Sequence, residues 1–107
     1  KMIILEYENT IFKVGKNSKE NWKLLNENQE YVWFHLASFP SCYVICLDEN
    51  PSNECLLYGS QLCKSNTKYR NLKHIKVNYT KLSNLKKGEE EGSVYIKSNK
   101  KVSSIVI

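Results

Sequence analysis

The sequence has no apolar run that approaches the roughly 18 residues needed to cross a bilayer as a helix. Its first residues, Lys1 to Glu6, contain too short an apolar segment and too early an acidic residue for a secretory signal peptide. With 107 residues, 41% hydrophobic and 25% charged, the chain has the size and composition of one soluble globular domain. We therefore expect a single domain over residues 1–107, without a membrane span and located in the cytoplasm.

Paired-cysteine motifs are also absent, since the four cysteines show no Cys-x-x-Cys spacing. Cys42 and Cys46 lie four residues apart in a segment expected to be extended, which places their side chains roughly 13 Å apart, too far for a disulfide. Without a secretory signal, we expect all four cysteines to be reduced, small buried residues. Two histidines and these cysteines do not supply the tight ligand spacing of a zinc site, so we expect no metal and no cofactor.

Arrangements typical of a catalytic site are missing as well. The sequence contains no recognisable Cys/His or Ser/His motif, and His35 and His74 are 39 residues apart. The chain is therefore predicted not to be an enzyme. Gly15-Lys16-Asn17 resembles an anion-binding helix start, because free N–H groups point outward there, but it lacks the rest of a phosphate loop. Two interpretations remain open: plain helix initiation, or an RNA phosphate bound where Gly15 adopts a conformation that a β-carbon disfavours.

Positive charge is missing from the middle of the chain. Residues 24–63 contain no lysine or arginine and five acidic residues, a net charge of −5, whereas residues 64–107 carry eleven basic residues against three glutamates, a net charge of +8. With +2 in residues 1–23, the chain totals +5. Clustered basic residues attract polyanions, although lysines also simply solvate an exposed face. If the basic residues bind a polyanion, we expect five lysines to converge on one face and to bind its phosphates. These are Lys73, Lys76, Lys81, Lys86 and Lys87.

Local patterns predict two helices. Asn17 and Glu20 have the spacing of a capping box at the start of a helix over about residues 18–26. A second helix is expected after residues 48–52, capped by Ser52 or Asn53. A glycine within its apolar stripe indicates close packing on a sheet. That stripe consists of Cys55, Leu56, Gly59, Leu62 and Cys63.

Alternating apolar residues predict strands elsewhere. Residues 3–5 and 10–14 form a hairpin closed around Glu8-Asn9, and residues 32–36 and 43–47 form another closed around Phe39-Pro40-Ser41. Further strands are predicted at residues 75–80, 93–96 and 102–107, the last two joined by a turn over residues 98–101. The expected fold class is α+β, a mostly antiparallel β-sheet with two helices in a single domain.

The strand over residues 32–36 contains the pair of side chains least expected of a purely structural element. Val32, Phe34 and Leu36 share one face, which leaves Trp33 and His35 on the other. If both faces are covered, Trp33 is simply packed in a core. Alternatively, Trp33 and His35 line a shallow binding site together with Tyr43, which lies near His35 across the predicted hairpin.

Several short motifs together resemble the NFACT-R domain family. They are Gly15-Lys-Asn-Ser-Lys-Glu-Asn21, Trp33-Phe-His35, Pro40-Ser41, and Val77-Asn-Tyr-Thr80 followed by Leu85-Lys-Lys87, in the order and spacing of that family. This domain occurs at the C-terminal end of ribosome quality-control factors, in bacterial proteins named as fibronectin-binding, and in short stand-alone eukaryotic proteins with a C-terminal coiled coil. The resemblance covers about residues 10–107. One departure is Tyr43, which stands where the family pattern has a histidine, so a function that needs a histidine pair is in doubt.

The resemblance implies a non-enzymatic nucleic-acid-binding module in translation or ribosome quality control, with transfer or ribosomal RNA as the expected partner. DNA and ribosome-associated proteins are the alternative partners, and a protein-interaction module is the alternative function. Motif positions and basic residues together give ten candidate nucleic-acid-binding residues. These are Lys16, Asn17, Trp33, His35, Tyr43, Lys73, Lys76, Lys81, Lys86 and Lys87.

Overall fold

The computed structural model describes residues 2–107. Within them lie two α-helices, eight β-strands and two short 3-10 helices, Leu82–Asn84 and Asn99–Lys101. The helices are α1 (Ser18–Leu24) and α2 (Asn53–Ser65). The strands are β1 (Ile3–Tyr7), β2 (Thr10–Val14), β3 (Val32–Leu36), β4 (Val44–Cys46), β5 (Lys76–Lys81), β6 (Leu85–Lys87), β7 (Val94–Ile96) and β8 (Ser103–Val106).

Six strands form one antiparallel sheet in the order β1-β2-β4-β3-β5-β8, and β6 pairs with β7 in a separate hairpin. This confirms the expected α+β class. The predicted strands over residues 93–96 and 102–107 belong to different sheets, because the 3-10 helix between them redirects the chain. The alternation of apolar and polar residues over 75–80 predicts that Thr80 shares a half-exposed face with Lys76 and Asn78, but Thr80 is buried and its hydroxyl donates to the carbonyl oxygen of Lys101 at 2.9 Å.

Residue chemistry explains where these elements start and turn. Glu8 and Asn9 both have positive φ angles, 50° and 65°, as a tight two-residue hairpin requires. The Oδ1 of Asn17 accepts from the N–H of Glu20 at 2.9 Å and so caps α1 as predicted. The Glu20 carboxylate reaches back to the N–H of Lys16 at 2.8 Å, one residue earlier than in a standard capping box. Helix α1 ends at Leu24, before the predicted boundary at residue 26.

Helix α2 covers one face of the sheet, where Val32, Phe34 and Leu36 point. Ser52 caps this helix, since its Oγ accepts from the N–H of Cys55 at 3.1 Å. Gly59 lies directly over the sheet: a β-carbon there would be 2.5 Å from the ring of Phe34. The predicted close packing at Gly59 is therefore confirmed.

The opposite face of the sheet is covered too. Trp33, Tyr43 and Ile45 pack there against Leu24 of α1 and against two leucines, Leu82 and Leu85, that precede and begin the β6–β7 hairpin. The sheet is thus the middle of three layers, which explains how apolar side chains from both faces of β3 are buried.

Candidate nucleic-acid interface

The loops at the two ends of the six-stranded sheet carry opposite charges. One end has residues 15–17, 37–43 and 66–75, which contain Lys16, Lys68, Arg70 and Lys73 and no acidic residue; we call it the basic end. Residues 8–9, 25–31 and 47–52 lie at the other, acidic end and contain no basic residue, but the connection between β5 and β8 brings Lys100 and Lys101 to the same end, near Glu30. The antiparallel register sorts the loops in this way. The acidic side chains are Glu8, Glu27, Glu30, Asp48 and Glu49.

A groove of about 560 Å³ lies at the basic end, where its three loops meet. Residues 14–18, with residue 21 of α1, form one wall, residues 40–42 form the second, and residues 66–69 after α2 form the third. Lys16 and Lys68 are exposed on two of these walls. The rings of Phe39 and Tyr69 stack at 4.2 Å, and the Nζ of Lys68 lies 5.4 Å from the centre of the Tyr69 ring. The groove therefore combines cations, polar side chains and aromatic surface.

Gly15 is required in the first wall of the groove because a side chain would not fit there, and not because of its backbone conformation. Its N–H donates to the carbonyl oxygen of Tyr43 at 2.9 Å, which joins the turn to β4. A β-carbon at Gly15 would collide with the side-chain oxygen of Asn21, which accepts from the N–H of Tyr43 at 3.2 Å. Within residues 2–107, Gly92 is the glycine with a positive φ angle, so the unusual conformation expected at Gly15 is wrong.

The three aromatic candidates meet, but they do not form an open site. The Trp33 and His35 rings stack at 5.5 Å, and the His35 and Tyr43 rings meet edge-on at 5.5 Å, so the predicted neighbourhood across the hairpin is confirmed. However, Trp33 and Tyr43 are each only 3% exposed. Neither ring offers a free face to a base, and the expectation of a shallow aromatic site on the surface is corrected.

The loop between β6 and β7 covers these aromatic rings. The hydroxyl of Tyr43 donates to the carbonyl oxygen of Gly92 in a short hydrogen bond. The indole N–H of Trp22, on α1, donates to the carbonyl oxygen of Ser93 at 2.9 Å. These two bonds hold the loop against α1 and β4, a contact between distant segments that strand periodicity does not reveal.

His35 lies half-buried at the edge of this aromatic cluster, opposite Asn78 of β5. Burial lowers its pKa, although a hydrogen bond with the backbone of Leu36 opposes the shift. Its imidazole is therefore neutral at pH 7 and can accept or donate a hydrogen bond but brings no charge. Its part in nucleic-acid binding stays a prediction.

The five lysines of the second half of the chain do not converge on one face. Lys73 and Lys76 lie at the basic end, whereas Lys81 lies at the acidic end. There its Nζ is 3.1 Å from a carboxylate oxygen of Glu30. Lys86 and Lys87 belong to the separate β6–β7 hairpin, and the Nζ of Lys87 lies 5.2 Å from the centre of the Trp22 ring. The predicted convergence is wrong for these three residues, because five residues of strand and a new hairpin separate them from Lys76.

Lys68 and Arg70 were not among the candidates, although both lie in loops of the basic end. Sequence alone does not show that residues 66–75 return to the Gly15–Asn17 turn, since this depends on strand order. The stretch from residue 64 to residue 76, with basic residues and no acidic one, was the available signal. Lys16 and Asn17 do line the groove, as their position at the turn suggested.

No helix within residues 2–107 has the length and apolar character to cross a membrane. The same residues contain no cluster of three or more histidine, cysteine, aspartate or glutamate side chains arranged to hold a metal ion.

The chain is similar in structure to the C-terminal region of the fibronectin/fibrinogen-binding protein from Streptococcus suis, with a TM-score of 0.86 and 24% sequence identity. The match covers 97% of this chain and 43% of that one, so the chain spans less than half of the solved neighbour. At this identity the likeness shows a shared fold. No protein-family model and no curated protein matches the chain.

Proposed function

We propose that this chain is a non-enzymatic RNA-binding module of the NFACT-R type, acting in translation or ribosome quality control in the cytoplasm. The observation that carries this proposal is the basic end, whose three loops contain four cations and no acidic residue, with Lys16 and Lys68 lining the groove. Phosphates are the most abundant negative charges of a nucleic acid and supply most of its affinity for clustered lysines.

The groove suits a nucleic-acid backbone in its chemistry. Lys16 and Lys68 offer cations on two of the walls, and Asn17, Ser41 and Asn66 add neutral polar groups to the lining. Such side chains position phosphates and sugars without reading the bases. We propose RNA rather than DNA as the partner because the sequence resembles the NFACT-R domain. Discrimination between RNA and DNA would come from contacts to the 2′-hydroxyl.

The test compares two charge-matched double variants. Lys16→Glu with Lys68→Glu reverses the groove, whereas Lys97→Glu with Lys100→Glu reverses two exposed lysines outside the basic-end loops. Binding of a fluorescent 20-nucleotide single-stranded RNA is measured by anisotropy over a series of salt concentrations. We expect the groove variant to lose at least about tenfold in affinity and to flatten the salt slope by about 1.4, or 0.7 for each of two phosphate contacts. The control should stay within about threefold of the wild type.

Equal affinity losses in the two variants would mean that net charge alone attracts RNA, and would overturn the groove as the site. A parallel titration with single-stranded DNA of the same sequence tests the choice of nucleic acid. Equal affinity for both would remove RNA preference from the proposal.

A second candidate function is docking of a protein partner, favoured by the similarity to a protein named for fibronectin and fibrinogen binding. In this case the exposed aromatic and polar groups of the groove would bind a protein surface. Binding to ribosome-associated proteins or fibronectin that survives 0.5 M salt, in a protein without measurable RNA affinity, would favour this candidate over the first.

A further inference from the structure

Cys42 and Cys63 form a close pair of thiols at the wall of the groove. They come from different elements, the loop before β4 and the last turns of α2. The Sγ of Cys42 lies 3.7 Å from the carbonyl oxygen of Cys63, and the Sγ of Cys63 lies 3.6 Å from the carbonyl oxygen of Cys42. This reciprocal pattern places the two residues side by side, with each sulfur next to the backbone carbonyl of the other residue.

We propose that Cys42 and Cys63 are an oxidisable dithiol that closes to a disulfide when hydrogen peroxide enters the groove. The sulfur of Cys42 attacks one oxygen of the peroxide, the O–O bond breaks, and water leaves with the thiol proton. The sulfur of Cys63 then attacks the sulfenic sulfur, the S–O bond breaks, and a second water leaves. Two thiols are oxidised by two electrons in total, and one peroxide is reduced to two waters.

The surroundings of the pair favour Cys42 as the entry point. Cys42 lines the groove and is half-buried, whereas Cys63 is fully buried behind it. The Oγ of Ser41 lies 3.6 Å from the Sγ of Cys63. Interaction between the two thiols raises the pKa of Cys42 and lowers that of Cys63, so Cys42 is protonated at neutral pH and its attack on peroxide is slow. The resolving sulfur is thus the more acidic one, as a second attack requires.

The other two cysteines do not share these features. Cys46 and Cys55 are buried in the core beneath α2 and do not line the groove. Cys46 is fully buried and Cys55 is only 3% exposed, so peroxide in the groove does not reach either sulfur. Cys46 and Cys55 should therefore stay reduced while Cys42 and Cys63 are oxidised, and they serve as controls within the same chain.

A bridge between these residues would join two walls of the groove. It would tie residue 42, next to the β3–β4 loop, to the end of α2 and close a loop of about 20 residues, which restricts the unfolded chain. We expect the thermal midpoint to rise by about 5 °C or more on oxidation. An effect on RNA affinity rests on the proposed function, but formation of the disulfide does not.

The experiment oxidises the purified full chain with hydrogen peroxide and follows its intact mass and peptide map. The expected result is a loss of about 2 Da, a peptide linking Cys42 to Cys63, and reversal by dithiothreitol. The Cys46→Ser/Cys55→Ser variant should behave like the wild type, and Cys42→Ser should lose the linkage. Because Cys42 is half-buried, this variant is the gentler of the two possible single changes.

Three outcomes would overturn the proposal. They are an unlinked Cys42 oxidised to the sulfinic acid, a bridge that involves Cys46 or Cys55, and an unchanged thermal midpoint after full linkage. A linked protein that binds no RNA in either redox state would leave the dithiol standing and remove only the proposed function.

Discussion

Tyr43 stands out among single residues, because one hydroxyl group connects two distant parts of the chain. Its ring is buried on the sheet face opposite α2, and its hydroxyl donates to the carbonyl oxygen of Gly92 in the β6–β7 loop. Burial raises the pKa of Tyr43 to about 12, above the ordinary tyrosine value of 10. Tyr43, which departs from the NFACT-R pattern that the sequence resembles, thus has a structural role of its own.

Tyr43→Phe should lower the free energy of unfolding at pH 7 by about 1 kcal/mol, because the Gly92 carbonyl loses its donor. The variant should also change how the free energy of unfolding depends on pH above pH 8. Between pH 10 and 12 the folded wild type keeps the Tyr43 proton while the unfolded chain releases it, so stability falls with rising pH. Urea unfolding at pH 8 to 11 should show a shallower fall in the variant. Parallel curves for both proteins would contradict the burial of this hydroxyl.

The distance between helix α2 and the sheet is set by Gly59, which lies directly over the ring of Phe34. Gly59→Ala should lower stability by about 1–2 kcal/mol, since overpacking outweighs the gain in helix propensity. The exposed Gln61 of the same helix is the matched control: Gln61→Ala should stay within about 0.5 kcal/mol. Chemical denaturation measures both.

A double-mutant cycle then identifies the contact. Phe34→Leu frees space below residue 59, so Gly59→Ala should cost less in that background than in the wild type. If the two changes lower the free energy of unfolding additively, the cost of alanine at position 59 does not come from contact with the Phe34 ring.

Much of this element-scale structure was predictable from local chemistry. The two faces of β3, the Asn17 and Ser52 caps and the Glu8-Asn9 turn depend on neighbours a few residues apart, and the sequence shows those directly. Strand order is different, since nothing in the pattern of residues 10–47 shows that β4 lies between β2 and β3. The groove depends on that order, and for this reason Lys16 was a candidate while Lys68 was not.

For the whole molecule, the separation of charge between the two ends predicts that charges at the acidic end affect the association rate constant for RNA and leave the dissociation rate constant unchanged. Glu8→Gln with Glu49→Gln removes two acidic charges at the end remote from the groove. This variant should associate with RNA up to a few-fold faster at low salt, because repulsion of phosphates falls. Its dissociation rate constant, measured by stopped flow, should equal that of the wild type. A dissociation rate slowed by more than about threefold would mean that RNA also contacts the acidic end.

The same separation of charge gives the domain a preferred orientation in an electric field. The chain extends over 33 × 30 × 28 Å, while the field of a charge in physiological salt decays over about 8 Å. A polyanion close to the basic end therefore attracts that end and is scarcely repelled by the acidic loops at the other. The resulting torque turns the molecule during approach, so that collisions occur with the groove foremost. If the chain binds RNA as proposed, this alignment precedes contact, and it weakens as the salt concentration rises.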